Sequence, residues 1–135
     1  MVNWGMEIRS FEDLECWKCA TELRRNISNM VKTFPSTEKY ALTDQIIRAS
    51  RSVTNNIAEG YGRFHFQENI QFCRHSRGSL YEVVDHLIIA KDEKYISEEE
   101  YETYKKLLNK SLALLNGYIN YLMNQKKKFA LANNE

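Results

Sequence analysis

The chain has 135 residues, with 19 Lys and Arg against 18 Asp and Glu, five glycines, one proline and three cysteines. This length gives one domain with a core that needs no disulfide or metal staple, and a single proline, where average usage is about 5%, excludes a disordered, collagenous or turn-rich β chain. A net charge of +1 excludes indiscriminate polycation binding but leaves open how the charges are distributed.

The opening MVNWGMEIRS lacks the apolar stretch of a signal peptide, and no later run reaches the roughly 18 apolar residues of a membrane span. A cytoplasmic protein without membrane contact is expected, and an odd number of cysteines fits reduced thiols.

Helical periodicity then appears four times. The first segment, about residues 11–33, repeats Phe11, Leu14, Trp17, Ala20, Leu23, Ile27, Met30 and Phe34 at threes and fours. Phe34-Pro35-Ser36-Thr37 stops it and offers hydroxyls to cap the next, about 37–60, whose apolar positions are Leu42, Ile46, Ala49, Val53 and Ile57. Gly60-Tyr61-Gly62 ends the second segment. The third, about 66–91, carries Cys73, Ser76, Leu80, Val83, Leu87 and Ala90 in strict 3-4 alternation. Ser97 with Glu100 has capping-box spacing and opens the fourth, about 97–125, with Tyr101, Tyr104, Leu108, Ser111, Leu115, Tyr118 and Leu122. Residues 126–135, KKKFALANNE, read as a basic flexible tail. No alternating strand pattern competes, so the expected fold is all-α: an antiparallel up-down-up-down four-helix bundle.

Tyr81, Val84 and Ile88 on the third segment, and Leu107, Leu114 and Tyr121 on the fourth, lie beside the core seams. Such wide apolar faces predict a homo-oligomer; the alternative is a thick monomer core closed by aromatic residues.

Catalytic and metal chemistry find little support. Cys16 and Cys19 form a CxxC, but Phe11 and Leu14 already belong to the apolar pattern, which puts the pair a turn or more inside the helix, away from the dipole that activates a redox thiol. Glu12, Asp13 and Glu15 further disfavour a thiolate, and no second ligand pair exists for zinc. His65, His75 and His86 have no nucleophile at a telling spacing, there is no Glu-x-x-His pair, and no arginine is followed by histidine at the spacing of helical ribonucleases. No enzyme activity, cofactor, catalytic residue or metal site is expected.

The charges are unevenly placed. Residues 48–77 hold Arg48, Arg51, Arg63, Arg74 and Arg77 against Glu59 and Glu68, while both flanks are slightly acidic. If the second and third helices run antiparallel around the Gly60–Phe66 turn, Arg48 stands level with Arg77 and Arg51 with Arg74, all on one side. These five arginines are the candidate nucleic-acid-binding residues; the other reading has them consumed by carboxylates of this chain or of a neighbouring subunit.

Several runs also resemble a known family. They are FEDLECWKCATEL (11–23), KYALTDQIIRA (39–49), NNIAEGYGR (55–63) and RGSLYE (77–82). Together they resemble the four-helix-bundle proteins encoded in intervening sequences of bacterial 23S rRNA genes, over about residues 8–125, a family sometimes given a ribosomal-protein label. The resemblance implies an antiparallel bundle that assembles into a ring-like homopentamer of unknown function. The family is similar in fold to the accessory protein of diversity-generating retroelements, a basic pentamer that binds nucleic acid and a reverse transcriptase; by that analogy RNA, DNA and a reverse transcriptase are the implied partners. The family pattern falls on Gln45, Arg48, Asn56, Glu59, Gly60, Gly62, Arg63, Gly78, Ser79 and Glu82. Structural uses are expected for them: Gly78-Ser79 for close helix approach, Gly60 and Gly62 for a tight turn, and Asn56, Glu59 and Glu82 as a polar network that fixes register, the alternative for these three being a ligand site. The chain departs from the pattern at His65, where relatives have a capping Ser, and at Ser76, where they have Ala.

Overall fold

The computed structural model describes residues 2–3 and 6–133. Four helices, α1 (Glu15–Met30), α2 (Leu42–Tyr61), α3 (Phe66–Asp92) and α4 (Glu98–Asn133), form the molecule's body. A minimal antiparallel ladder, β1 (Val2–Asn3) with β2 (Met6–Glu7), pairs Val2 with Glu7 and Asn3 with Met6 ahead of them. α1 and α3 each pack against both α2 and α4, which closes a four-helix bundle.

Side-chain contacts set the helix directions. Ser76 of α3 donates to the Val53 carbonyl of α2 at 2.8 Å, and Ser79 lies 2.8 Å from Ser52, so numbers rise on one helix as they fall on the other. α3 meets α4 in the same sense, Phe66 against Phe129 and Arg77 bonded to Asn116. Cys19 of α1 lies against the Leu107 carbonyl of α4, while Glu22 and Asn26 share a groove with the first turns of α4.

The apolar seams face inward as their spacing requires. Cys73, Ser76, Leu80, Val83, Leu87 and Ala90 of α3 are each 0% exposed, and Ile46, Val53 and Ile57 of α2 and Leu108, Leu115 and Leu122 of α4 are buried against them. Ser76 is tolerated there because its hydroxyl reaches the Val53 carbonyl. The additional apolar residues divide: Leu107, Leu114 and Tyr121 of α4 pack on the core, whereas Tyr81 and Ile88 of α3 stay exposed.

The ends of the helices depart from the sequence reading in three places. The first helix does not start at residue 11: Phe11–Asp13 is a 3-10 turn capped by Ser10 and Asp13, and Leu14 is extended before α1 begins at Glu15. The second does not start at residue 37, because Ser36–Glu38 is another 3-10 turn whose hydroxyls cap nothing, and α2 opens only after Ala41. α4 continues to Asn133 instead of giving way to a flexible tail at 126. Residues 126–133 contain no glycine or proline to stop it, Phe129 packs edge-on against Phe66, and Lys126 donates to the Gln67 side chain. Asn134 and Glu135, the rest of that expected tail, lie outside the described residues. Ser97 and Glu100 do form the reciprocal capping box, both bonds at 3.0 Å.

Candidate functional site

The α2–α3 interface gathers most of the sequence motifs. An open groove of ≈ 530 Å³ is lined by Ser52, Asn56, Gln71, Arg74, His75, Gly78, Ser79 and Glu82. The Asn56 amide donates to the Ser52 carbonyl at 2.8 Å and to the Ser52 hydroxyl at 3.0 Å, and that hydroxyl lies 2.8 Å from Ser79 Oγ. Ser79 also donates to the His75 carbonyl at 3.2 Å, one turn back on its own helix. Among the described residues Asn56 thus bonds only to Ser52 of its own helix, and it is the Ser52–Ser79 contact that crosses from α2 to α3. Glu59 points elsewhere, to Arg63, and Glu82 lines the groove without a bond among the described residues. It is the backbone carbonyl of His75, not its imidazole, that meets the Ser79 hydroxyl, so the groove pairs no hydroxyl with a base.

The close approach expected at Gly78 falls instead on Gly60. A Cβ on Gly78 would meet nothing within 4 Å, so Gly78 serves no close approach within this chain and leaves the groove floor open. Gly60 does serve one: its Cβ would stand 2.7 Å from Asn69 Oδ1 and 2.9 Å from Phe72 Cβ. Gly62 caps α2 with φ −74, ordinary right-handed backbone. Gln45 is exposed on α2, and His65 precedes α3 without a side-chain capping bond.

The five arginines do not form one face. Because Gly60 faces Asn69 and Val53 faces Ser76, the α2–α3 register lies about one helical turn away from the one that would level Arg48 with Arg77 and Arg51 with Arg74. Arg48 Nε pairs with Asp44 of its own helix at 2.9 Å. Arg63 pairs with Glu59 at 2.8 Å and Glu68 at 3.6 Å and lies over the Phe72 ring. Arg77 turns toward α4 and donates to Asn116 Oδ1 at 3.0 Å. Arg51 and Arg74 are exposed and make no ion pair among the described residues. Arg74 instead borders a second cleft, between α3 and α4, with Gln67, Ile70, Met123, Lys126 and Lys127. Those lysines went unassigned to any site in the sequence because they read as a tail; the uninterrupted run of helix formers was the available signal.

All three cysteines are free and buried. Cys16 is the second residue of α1, within its first turn, and not a turn or more inside as the apolar spacing suggests; the 3-10 turn before it keeps a near-helical spacing without being part of the helix. Burial outweighs any dipole effect, pushing the thiols of Cys16 and Cys19 up and that of Cys73 up to about 12. Among the described residues no His, Cys, Asp and Glu side chains converge as a metal cluster, and no helix is long and apolar enough to cross a membrane.

A closed helical bundle with a motif-lined polar groove between its second and third helices defines the class of this protein. Residues 12–117 match the family model described as 23S rRNA-intervening sequence protein, and the chain belongs to that family. It is similar in fold to a crystal structure of a protein with unknown function from the S23 ribosomal protein family of Bacteroides thetaiotaomicron VPI-5482, at 21% identity and a TM-score of 0.71, covering 77% of this chain and 97% of that one. No curated protein matches the chain.

Proposed function

We propose that this chain is a non-enzymatic scaffold that self-associates and binds nucleic acid through exposed cations centred on α3. The observation that carries the reading is Arg74, exposed, without a carboxylate partner, and sharing a cleft with Lys126 and Lys127. Arg63, Arg74, Arg77 and Lys126 to Lys128 outnumber the acids nearest them, Glu59, Glu68 and the Glu82 that shares the α2–α3 groove with Arg74. The first turns of α4, at the other end of the molecule, hold Glu98, Glu99, Glu100 and Glu102. A chain of net charge +1 is therefore polarised, with its surplus cations at one end, where phosphates would be attracted. Retention on immobilised RNA at about 50 mM salt, lost by a few hundred millimolar, is the expected result, and no retention at the lower salt overturns the reading. For self-association, exposed Tyr81 and Ile88 are the support, and light scattering should give a particle heavier than 16.0 kDa.

One set of contacts favours a second reading. Arg48 and Arg63 already have carboxylates of their own chain, which suits a scaffold that contacts only protein. In that case light scattering gives the heavier particle and the RNA column retains nothing.

A further inference from the structure

The cationic end of the bundle also carries exposed aromatic side chains. Phe64, in the turn between α2 and α3, is 94% exposed, and Phe129 and Leu131 near the end of α4 are 61% and 66% exposed. The His65 ring meets Phe64 edge-on at 5.0 Å, and Phe129 is braced edge-on by Phe66 at 6.4 Å. Beside them, Arg74, Lys126, Lys127 and the Gln67 amide line a cleft of ≈ 230 Å³ between α3 and α4. A phenylalanine as exposed as Phe64 is costly to leave in water, and Phe129 keeps more than half of its surface open despite its contact with Phe66.

We infer that this end is a binding site for single-stranded nucleic acid, with phosphates held in the α3–α4 cleft and bases stacked on Phe64 and Phe129. The inference rests on the nucleic-acid reading above and gives it a place and a strand preference. Arg74 offers a planar fork for a phosphate, and the two lysines add charge without an acid beside them. Aromatic faces next to a basic cleft bind strands whose bases are free to stack; a duplex keeps its bases closed to them. An anionic membrane is the rival for a basic, aromatic surface. Phe129 and Leu131, however, are two residues apart on one helix and project about 200° from each other, so α4 offers no single apolar face to lie in a bilayer.

The test is fluorescence anisotropy of the full chain with a labelled oligouridine about twenty nucleotides long and with the same strand annealed to oligoadenosine. The single strand should bind at least about tenfold more tightly than the duplex. Lys126→Gln with Lys127→Gln should weaken binding about tenfold and flatten the salt dependence by about 1.4 in log–log slope, and Phe64→Ala should weaken it about fivefold or more. Lys105→Gln with Lys106→Gln, the same charge change far along α4, should leave binding as it is. If the wild type binds and the Lys126, Lys127 and Phe64 variants bind equally well, or the duplex is preferred, the site is wrong while the broader reading stands. If phosphatidylserine vesicles capture the chain and the oligonucleotide does not, both fall.

Discussion

Asn69 occupies the space that a side chain on Gly60 would need. Its Oδ1 stands 2.7 Å from the position of a Gly60 Cβ, its Nδ2 donates to the buried Tyr118 hydroxyl at 3.1 Å, and its Oδ1 accepts from Cys73 Sγ at 3.6 Å. The amide therefore joins three helices at one level, and the missing Cβ lets α2 come close enough for it to do so. Phe72 Cβ, 2.9 Å from the same point, cannot swing aside as a flexible side-chain tip would. Gly60→Ala should destabilise the protein by about 1–3 kcal/mol in urea unfolding, although alanine gains about 1 kcal/mol of helix propensity over glycine. A neutral or stabilising substitution would show that α3 can shift freely.

The groove network makes a separable prediction. Ser79→Ala removes a hydroxyl bonded to α2 and to the His75 carbonyl, and should cost about 1 kcal/mol of stability. Glu59→Ala loses only a half-exposed pair with Arg63, four residues on in the turn after α2, and should cost about 0.3–0.5 kcal/mol. Urea midpoints for the two variants, read beside light scattering, check both. A large loss of assembly in Glu59→Ala with little loss of stability would make that carboxylate a subunit contact.

How much could be read from the chain is seen best by comparing α3 with its neighbours. Its seam was legible because a buried helix stripe recurs at threes and fours, and Ser97 with Glu100 was legible because the capping box has a fixed spacing. The height of α3 against α2 was not. Turn length fixes which helices are neighbours, whereas register depends on contacts such as Gly60 with Asn69 and Ser76 with Val53, and no local pattern records them. That single displacement separates the arginines that antiparallel counting brought together. The four-residue spacing of Asp44 with Arg48 and of Glu59 with Arg63 was there to be read, but sequence spacing could not say that Arg77 would turn to Asn116 on α4. The α2–α3 groove was legible as motif positions, Asn56, Gly78, Ser79 and Glu82, but not as one surface until the two helices met.

The turn between α3 and α4 contains a residue in the wrong conformation for its type. Lys94 has φ 63, the left-handed region, and closes the helix with Lys94 N–H on the Lys91 carbonyl and Tyr95 N–H on the Ala90 carbonyl. This is the Schellman arrangement, whose left-handed position ordinarily belongs to glycine because a Cβ there costs about 1–2 kcal/mol. Tyr95, the next residue, packs on Phe34 and donates to Glu38 Oε2 at 3.1 Å, so the turn cannot relax without losing contact with the α1–α2 connection. Lys94→Gly should stabilise the protein by about 0.5–1 kcal/mol, after the added chain entropy of glycine is subtracted, and raise Tm by about 2–5 °C. Lys94→Val should lower it.

Alkaline pH should unfold this protein through its buried thiols. Burial holds Cys73 up to about 12 and raises Cys16 and Tyr118 as well, in each case above the value the unfolded chain would have. A raised pKa means that the folded state keeps its proton where the unfolded state has lost it. The stabilisation is complete below about pH 9, the ordinary thiol value, and is lost as pH rises toward the folded pKa, by up to ~1.4 kcal/mol per pH unit for each group. Urea midpoints should therefore be level from pH 7 to 8.5 and fall steadily above it. Cys73→Ala should start about 1 kcal/mol less stable, from the cavity it leaves, yet show a shallower fall. The same burial bears on the CxxC of Cys16 and Cys19. Thiol labelling at pH 8 should be slow in the native protein and complete in urea, and rapid labelling of Cys16 in the native state would reopen a redox role for the pair.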